Sequence, residues 1–254
     1  MTLKQASLVD WNYPKWFAHR GGGRVAPENT LKGFQAAYEN GLKGIEFDVK
    51  LSQDNQAVVF HDEDLWRVAH LKERVVDLSS EKLLATDAAA NFPEYQPAYV
   101  PSFEQAAKFC LQHQMAANIE LKPNPQQGHL TAQVVVKQAL DYWGKETPPP
   151  LFSSFCLNTL AYLRDFYPST HRGLLIEEWL PTDEELIQRL EALGCVALHA
   201  PEEGLTEERI RQVQRADFKV LVWTVNDLER AKELLDWGVD GIITDLIDQV
   251  AGLV

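Results

Sequence analysis

Between residues 19 and 61 the chain carries two histidines, an arginine and two carboxylates in a spacing that could act on a phosphate ester. His19 and Arg20 end the short apolar run Trp16-Phe17-Ala18 and precede Gly21-Gly22-Gly23. Glu46 and Asp48 alternate with Ile45, Phe47 and Val49, so the two acids share one strand face. His61 closes the run Ala57-Val58-Val59-Phe60. Carboxylate oxygens are hard ligands that suit Mg²⁺ or Ca²⁺, imidazole moves protons near neutral pH, and a guanidinium matches phosphate. Each piece alone has a plain structural reading: a turn, a helix start, an edge strand. Their convergence in one segment points to metal-assisted phosphoryl chemistry.

Those side chains need elements to hold them. An apolar strand that stops at three glycines reads as a place where backbone must approach something closely, here a ligand. Pro27-Glu28-Asn29-Thr30 starts a helix with Asn29 or Thr30 as the cap, Leu31, Phe34 and Tyr38 on its apolar face, and Asn40-Gly41 as its stop. Asp54-Asn55 suits a two-residue hairpin loop, which would set His61 directly opposite Asp48 on the Glu46 face. A slip of one residue would send His61 to the other face. Farther along, Asn118, Glu120 and Lys122 alternate with Ile119 and Leu121 before Pro123, and continue the inward polar face. The plain alternative for this strand is an exposed edge bearing an ion pair.

With 254 residues, 45% hydrophobic and 24% charged, the chain can bury the core of one large α/β domain or two small ones. A net charge of −13 with no basic run excludes nucleic acid and anionic membrane surfaces as natural partners. It does not exclude an anionic substrate, because screening over about 8 Å leaves local Arg and Lys in control of a pocket. Cys110, Cys156 and Cys195 are odd in number and follow no CxxC pattern, so they read as reduced thiols. The start MTLKQASLVD lacks the apolar core of a signal peptide, and no apolar run is long enough to span a bilayer. The expectation is a cytoplasmic protein without a membrane anchor.

Strands ending near His19, Asp48, Lys122, Phe155, Ile176, His199, Thr224 and Thr244 number eight, each followed by a helix, provided residues 57–62 are a hairpin return arm. The reading is α/β: a (β/α)8 TIM barrel with a β-hairpin and short insertion after the second strand, residues 1–254 forming one domain. The active site of such a barrel lies at the carboxyl ends of its strands, where the polar residues above fall. A doubly wound sheet would need a glycine-rich turn of the GxGxxG type, which Gly21-Gly22-Gly23 does not become.

The segments HRGG, PENT, IEFDV and VVFHD, in this order and spacing, resemble the glycerophosphodiester phosphodiesterases, and HRGGGRVAPENTL looks most like their small bacterial cytosolic branch. The resemblance extends to Asn118-Ile-Glu120-Leu-Lys122, Ser153-Ser154-Phe155 and Val222-Trp223-Thr224-Val225-Asn226. It implies hydrolysis of glycerophosphodiesters such as glycerophosphocholine to sn-glycerol 3-phosphate and an alcohol. It implies a divalent metal on Glu46, Asp48 and Glu120, Mg²⁺ ahead of Ca²⁺, and His19 and His61 sharing acid and base work. Arg20 and Lys122 would meet the phosphate, and Phe155 and Trp223 would wall the substrate pocket. Which histidine is the acid, and whether water or the glycerol 2-hydroxyl attacks, stay open. Rival readings are a lipid-directed phospholipase of the same superfamily and a non-catalytic phospholigand-binding barrel; the second would not need both histidines and three carboxylates.

Two departures from the family pattern stand out. Val68-Ala69-His70-Leu71 replaces a small-polar and glycine turn, and Thr244-Asp245-Leu246-Ile247 lacks the family's helix-starting proline. Ser153 and Ser154 have no histidine near in sequence and read as pocket lining or a cap. His70, His113, His129, His171 and His199 read as surface or ordinary structural residues, and Trp223 is as consistent with plain core as with a pocket wall.

Overall fold

Eight parallel strands alternate with helices and close on themselves. The computed structural model describes residues 10–145, 148–250 and 252–253; the readings made on residues 1–9 lie outside them. In chain order the elements are β1 (Trp16–Ala18), α1 (Leu31–Glu39), β2 (Gly44–Leu51), β3 (Ala57–Val59), α2 (Trp66–Ala69), α3 (Ser80–Leu84), α4 (Phe103–Gln112), β4 (Ala116–Leu121) and α5 (Gly128–Trp143). There follow β5 (Leu151–Ser154), α6 (Leu157–Phe166), β6 (His171–Leu175), α7 (Asp183–Leu193), β7 (Ala197–Pro201), α8 (Glu207–Arg215), β8 (Lys219–Trp223), α9 (Leu228–Asp236) and β9 (Gly241–Thr244). The sheet runs β1-β9-β8-β7-β6-β5-β4-β2, and parallel pairing of β1 with β2 closes it into a (β/α)8 TIM barrel.

The helices start where the sequence offers a capping oxygen. Thr30, Thr182, Thr206 and Asp227 each accept from the backbone N–H three residues on, and Ser102 forms a reciprocal capping box with Gln105. The main core lies between strands and helices, with Phe34, Phe47, Phe103 and Ile119 fully buried. A smaller apolar plug of Phe17, Ala116, Leu151, Ala197, Leu221 and Ile243, packed with Tyr13, fills the barrel at the amino end of the strands. The acid cluster lies above this plug, toward the carboxyl ends of the strands.

Strand β3 is antiparallel to β2, the expected return arm, and the insertion behind it has a satellite core that includes Phe60, Leu65, Val75, Leu83 and Val100. Three expectations are corrected. The hairpin loop has three residues, not two: Ser52 N donates to Gln56 O at 3.0 Å, and Asn55 takes φ +57, the left-handed residue a three-residue loop requires. Register shifts by one, so Phe60 and not His61 meets Asp48, its N–H donating to Asp48 O at 3.0 Å.

The glycine run approaches protein, not a ligand. A Cβ on Gly21 (φ +71) would meet Phe34 Cδ1 at 2.3 Å, and one on Gly23 (φ +53) would meet Asp245 O at 2.5 Å. These glycines let the β1–α1 loop press against α1 and the end of β9. Finally, no helix follows β9 among the described residues; a turn through Leu246 to Val250 buries Leu246, Ile247 and Val250 instead, where the chain lacks the helix-starting proline.

Candidate active site

The inward faces of β2 and β4 bring three acids together. Register pairs Asp48 with Glu120 and Glu46 with Asn118, and one carboxylate oxygen each of Glu46, Asp48 and Glu120 lie within 4.8 Å of one another. All three residues are buried, at 4%, 1% and 9% exposure. Their partners differ. The Arg20 backbone N–H donates to Glu46 Oε2 at 3.0 Å, an approach permitted by φ +51 at Arg20. Asn29 Nδ2 donates to Asp48 Oδ2 at 2.8 Å, and Arg20 Nε is 3.5 Å from the same oxygen. Lys122 Nζ donates to Glu120 Oε1 at 2.9 Å and lies 3.8 Å from Asp48 Oδ1.

Burial raises all three carboxyls, and the neighbouring charges decide the balance. For Asp48, Arg20, His61, Lys122 and the Asn29 hydrogen bond outweigh burial and hold it below the usual range. Glu46 is driven well up by burial and by the charges of Asp48 and Glu120, and Glu120 is pushed up to about 7 by burial and Asp48 against the pull of Lys122. Three close, buried, oxygen-only ligands, two of them still short of positive charge, suit a hard divalent cation.

Two histidines open on the same space, each held by a carboxylate through Nδ1. His19 Nδ1 is 2.7 Å from Asp245 Oδ1, and His61 Nδ1 is 2.5 Å from Asp62 Oδ1. Burial pushes Asp245 up, but the hydrogen bond and charge of His19, helped by Asn226, bring it below its ordinary value. An ionised Asp only accepts, so the Nδ1 proton sits between the pair and Nε2 is left for other work. Because β3 ends at Val59, His61 stands in the bend after it, outside strand alternation. Asp62 is gripped by Arg67 Nε at 2.8 Å, and Arg67 also binds Glu28, which binds Arg20 Nη1 at 3.0 Å.

His19, Arg20, Glu46, His61, Glu120, Lys122, Phe155 and Trp223 line one cavity of about 240 Å³, with Asp48 buried behind it. Trp223 and Phe155 meet edge to face at 5.4 Å, and Lys122 Nζ stands 5.7 Å from the Phe155 ring centre. Trp223 is therefore pocket wall, anchored by Nε1 donating to His199 O at 3.2 Å. A wider groove of about 560 Å³, which includes Asn158 and His129, adjoins the cavity and shares Glu120, Lys122, Phe155 and Glu177 with it.

The sequence profile of the glycerophosphoryl diester phosphodiesterase family matches residues 19–249. The chain belongs to this family. A glycerophosphodiester phosphodiesterase of Bacillus altitudinis is 31% identical over 237 residues, covering 92% of this chain and 96% of that protein. An uncharacterised Bacillus subtilis protein, YqiK, is 32% identical over 94% of this chain and 98% of its own length. Among solved structures, an Oleispira antarctica phosphodiesterase in complex with the product sn-glycerol 3-phosphate superposes with a TM-score of 0.86 at 30% identity, over 94% of this chain and 96% of that one.

The phosphodiesterase has supporting residues that sequence reasoning missed: Asp245 and Asp62 behind the histidines, Asn29 on Asp48, and the Glu28–Arg67 link. Their signal was proximity within motifs, since Asp62 follows His61, Glu28 and Asn29 lie in PENT, and Asp245 follows Thr244. Thr30 caps α1, which leaves Asn29 free for Asp48. Ser154 is the cap-like serine, its Oγ donating to Leu121 O at 2.6 Å and accepting from Cys156 N at 3.1 Å, whereas Ser153 lines the cavity. His199 takes the structural of the two readings, surface or structural: it is fully buried on β7, burial pushes it down to about 3, and neither ring nitrogen has a partner.

Proposed function

We propose that this phosphodiesterase hydrolyses soluble glycerophosphodiesters, such as glycerophosphocholine and glycerophosphoethanolamine, to sn-glycerol 3-phosphate and the free alcohol. The observation that carries the reading is that two histidines, each with Nδ1 on a carboxylate, face the same small cavity as the three-acid cluster. The Oleispira relative's bound sn-glycerol 3-phosphate supports the product.

A divalent cation on Glu46, Asp48 and Glu120, Mg²⁺ before Ca²⁺, would supply Lewis-acid polarisation of a phosphate oxygen. Arg20 and Lys122, already turned toward Asp48, neutralise the remaining phosphate charge. His19 and His61 divide the proton transfers: one Nε2 takes the proton of the attacking group, water or the glycerol 2-hydroxyl, and the other delivers one to the departing alkoxide. Asp245 and Asp62 keep each ring in the tautomer that leaves Nε2 available. Trp223 and Phe155 hold the glycerol carbons, and the adjoining groove receives the alcohol. We further read residues 1–254 as one domain acting in the cytoplasm, in keeping with the absence, among the described residues, of a helix long and apolar enough to cross a membrane.

The test is incubation with glycerophosphocholine, lysophosphatidylcholine and a cyclic phosphodiester, with and without Mg²⁺. Metal-dependent release of choline and sn-glycerol 3-phosphate from the first is expected. Preferential cleavage of the lipid would move the reading to a phospholipase, and turnover of none to a binding protein.

A further inference from the structure

Beside the three acids, the barrel interior carries polar atoms to which the fold gives no partner. Asn118 on β4 and Ser153 on β5 are 0% and 1% exposed, and both line the cavity. Neither the Asn118 amide, at Nδ2 and Oδ1, nor the Ser153 hydroxyl makes a hydrogen bond within the protein. Ser154, the next residue, is satisfied twice over. Buried polar atoms without partners are costly and rare in native proteins, so a cluster of them aimed into a cavity calls for a ligand or ordered water.

Register gives the level. Asn118 pairs with Glu46 and Ser153 with Glu120, so the two groups stand level with the acids on the β4–β5 side of the cavity. Leu175 on β6, the strand next to β5, and Ile243 on β9, across the barrel, are both buried and both line the cavity. This part of the cavity is therefore amphipathic, with amide and hydroxyl from Asn118 and Ser153 and aliphatic carbon from Leu175 and Ile243. That chemistry suits a short polyol lying on its carbons.

We propose that Asn118 and Ser153 are specificity-determining residues that hold the terminal hydroxyl of the glycerol half, the end remote from phosphorus. The inference rests on the proposed function, with phosphate at Arg20 and Lys122. A three-carbon chain then spans from the phosphate to the β4–β5 wall of the cavity. One hydroxyl can donate to Asn118 Oδ1 and accept from Ser153 Oγ, which gives two of the three orphaned atoms a partner.

The experiment compares kcat/KM for glycerophosphocholine and for its 1-deoxy analogue, the phosphocholine diester of propane-1,2-diol, in the wild type, Asn118→Ala and Ser153→Ala. Calorimetric binding of sn-glycerol 3-phosphate and of its 1-deoxy counterpart runs in parallel. A site built to bond a hydroxyl rejects the analogue lacking it strongly, so the wild type should prefer the glycerol diester by at least about 10²-fold. Each variant should cut that preference at least tenfold, through loss on the glycerol diester and with the analogue changed less than threefold. Parallel loss on both compounds, or an unchanged preference, overturns the proposal, the latter meaning that this wall holds water only. If the wild type turned over neither diester, the proposed activity would fail while the binding arm still decided the hydroxyl contact: equal affinity for the two phosphates, or none for either, refutes it. Ser153→Ala removes a single oxygen and keeps the test open should Asn118→Ala fold poorly.

Discussion

Asp245 Oδ1 lies 2.7 Å from Nδ1 of His19 across the seam where the last barrel strand pairs with the first. Barrel closure thus builds this pair, since the two residues are 226 positions apart in sequence. Asp245→Asn should leave substrate binding nearly intact and lower kcat by about 10²- to 10⁴-fold, because an amide no longer enforces the tautomer with Nε2 free. Steady-state kinetics on glycerophosphocholine check this; a change in KM alone would make Asp245 a substrate contact.

His19→Ala and His61→Ala should each lower kcat on glycerophosphocholine by roughly 10²- to 10⁴-fold, because a choline alkoxide needs a proton to depart. A glycerophosphodiester with a nitrophenol leaving group needs little protonation. It should rescue one variant and not the other, and the rescued position is the acid. Equal rescue of both, or activity retained in both, would remove the two-histidine division of labour.

Metal binding should depend on pH with a defined sign. Folding lifts the Glu120 carboxyl from 4.5 to about 7, and Glu46 moves the same way. Between about pH 4.5 and 7 the metal-free folded protein therefore binds more protons than the unfolded chain, and its stability falls as pH rises through that window. A cation competes with those protons, so its stabilising effect should grow over the same window. Mg²⁺ at about a hundredfold excess over Kd should raise Tm by on the order of 5–10 °C at pH 7.5 and far less at pH 5. Asp48→Asn should shrink the shift at pH 7.5. Calorimetric melts with and without chelator read it out, and an equal shift at both pH values would contradict the cluster as the metal site.

Trp223→Ala should raise KM to a similar degree for diesters of choline, ethanolamine and glycerol, on the order of tenfold, with kcat less affected. The ring meets Phe155 edge to face and walls the cavity, where the common glycerol phosphate half is proposed to sit. A loss confined to one head group would place Trp223 on the alcohol side instead.

Much of this protein was legible in its sequence. Alternation put Glu46 with Asp48 and Asn118 with Glu120 and Lys122 on shared faces, because the two-residue strand period is local, and eight strand ends with helices between them implied the barrel. The cap of α1 was equally local, narrowed to Asn29 or Thr30 and falling on Thr30. What depended on long-range packing was not legible. The glycines after β1 looked like a ligand turn, yet the neighbours that forbid a side chain are Phe34 on a following helix and the Asp245 backbone from the far end of the chain.

His61 is the sharpest case. Sequence determined that a histidine ends the return arm, while a three-residue loop shifted the register and should have turned it away from Asp48. Only the tertiary structure returned it to the cavity, by ending β3 at Val59 and fixing the following bend through Asp62, Arg67 and Glu28. Residue types and periodicity determine which groups are available for chemistry. Which of them acquire a partner such as Asp245, and which stay orphaned in the cavity like Asn118 and Ser153, is decided by barrel closure, because those contacts join strands remote in sequence.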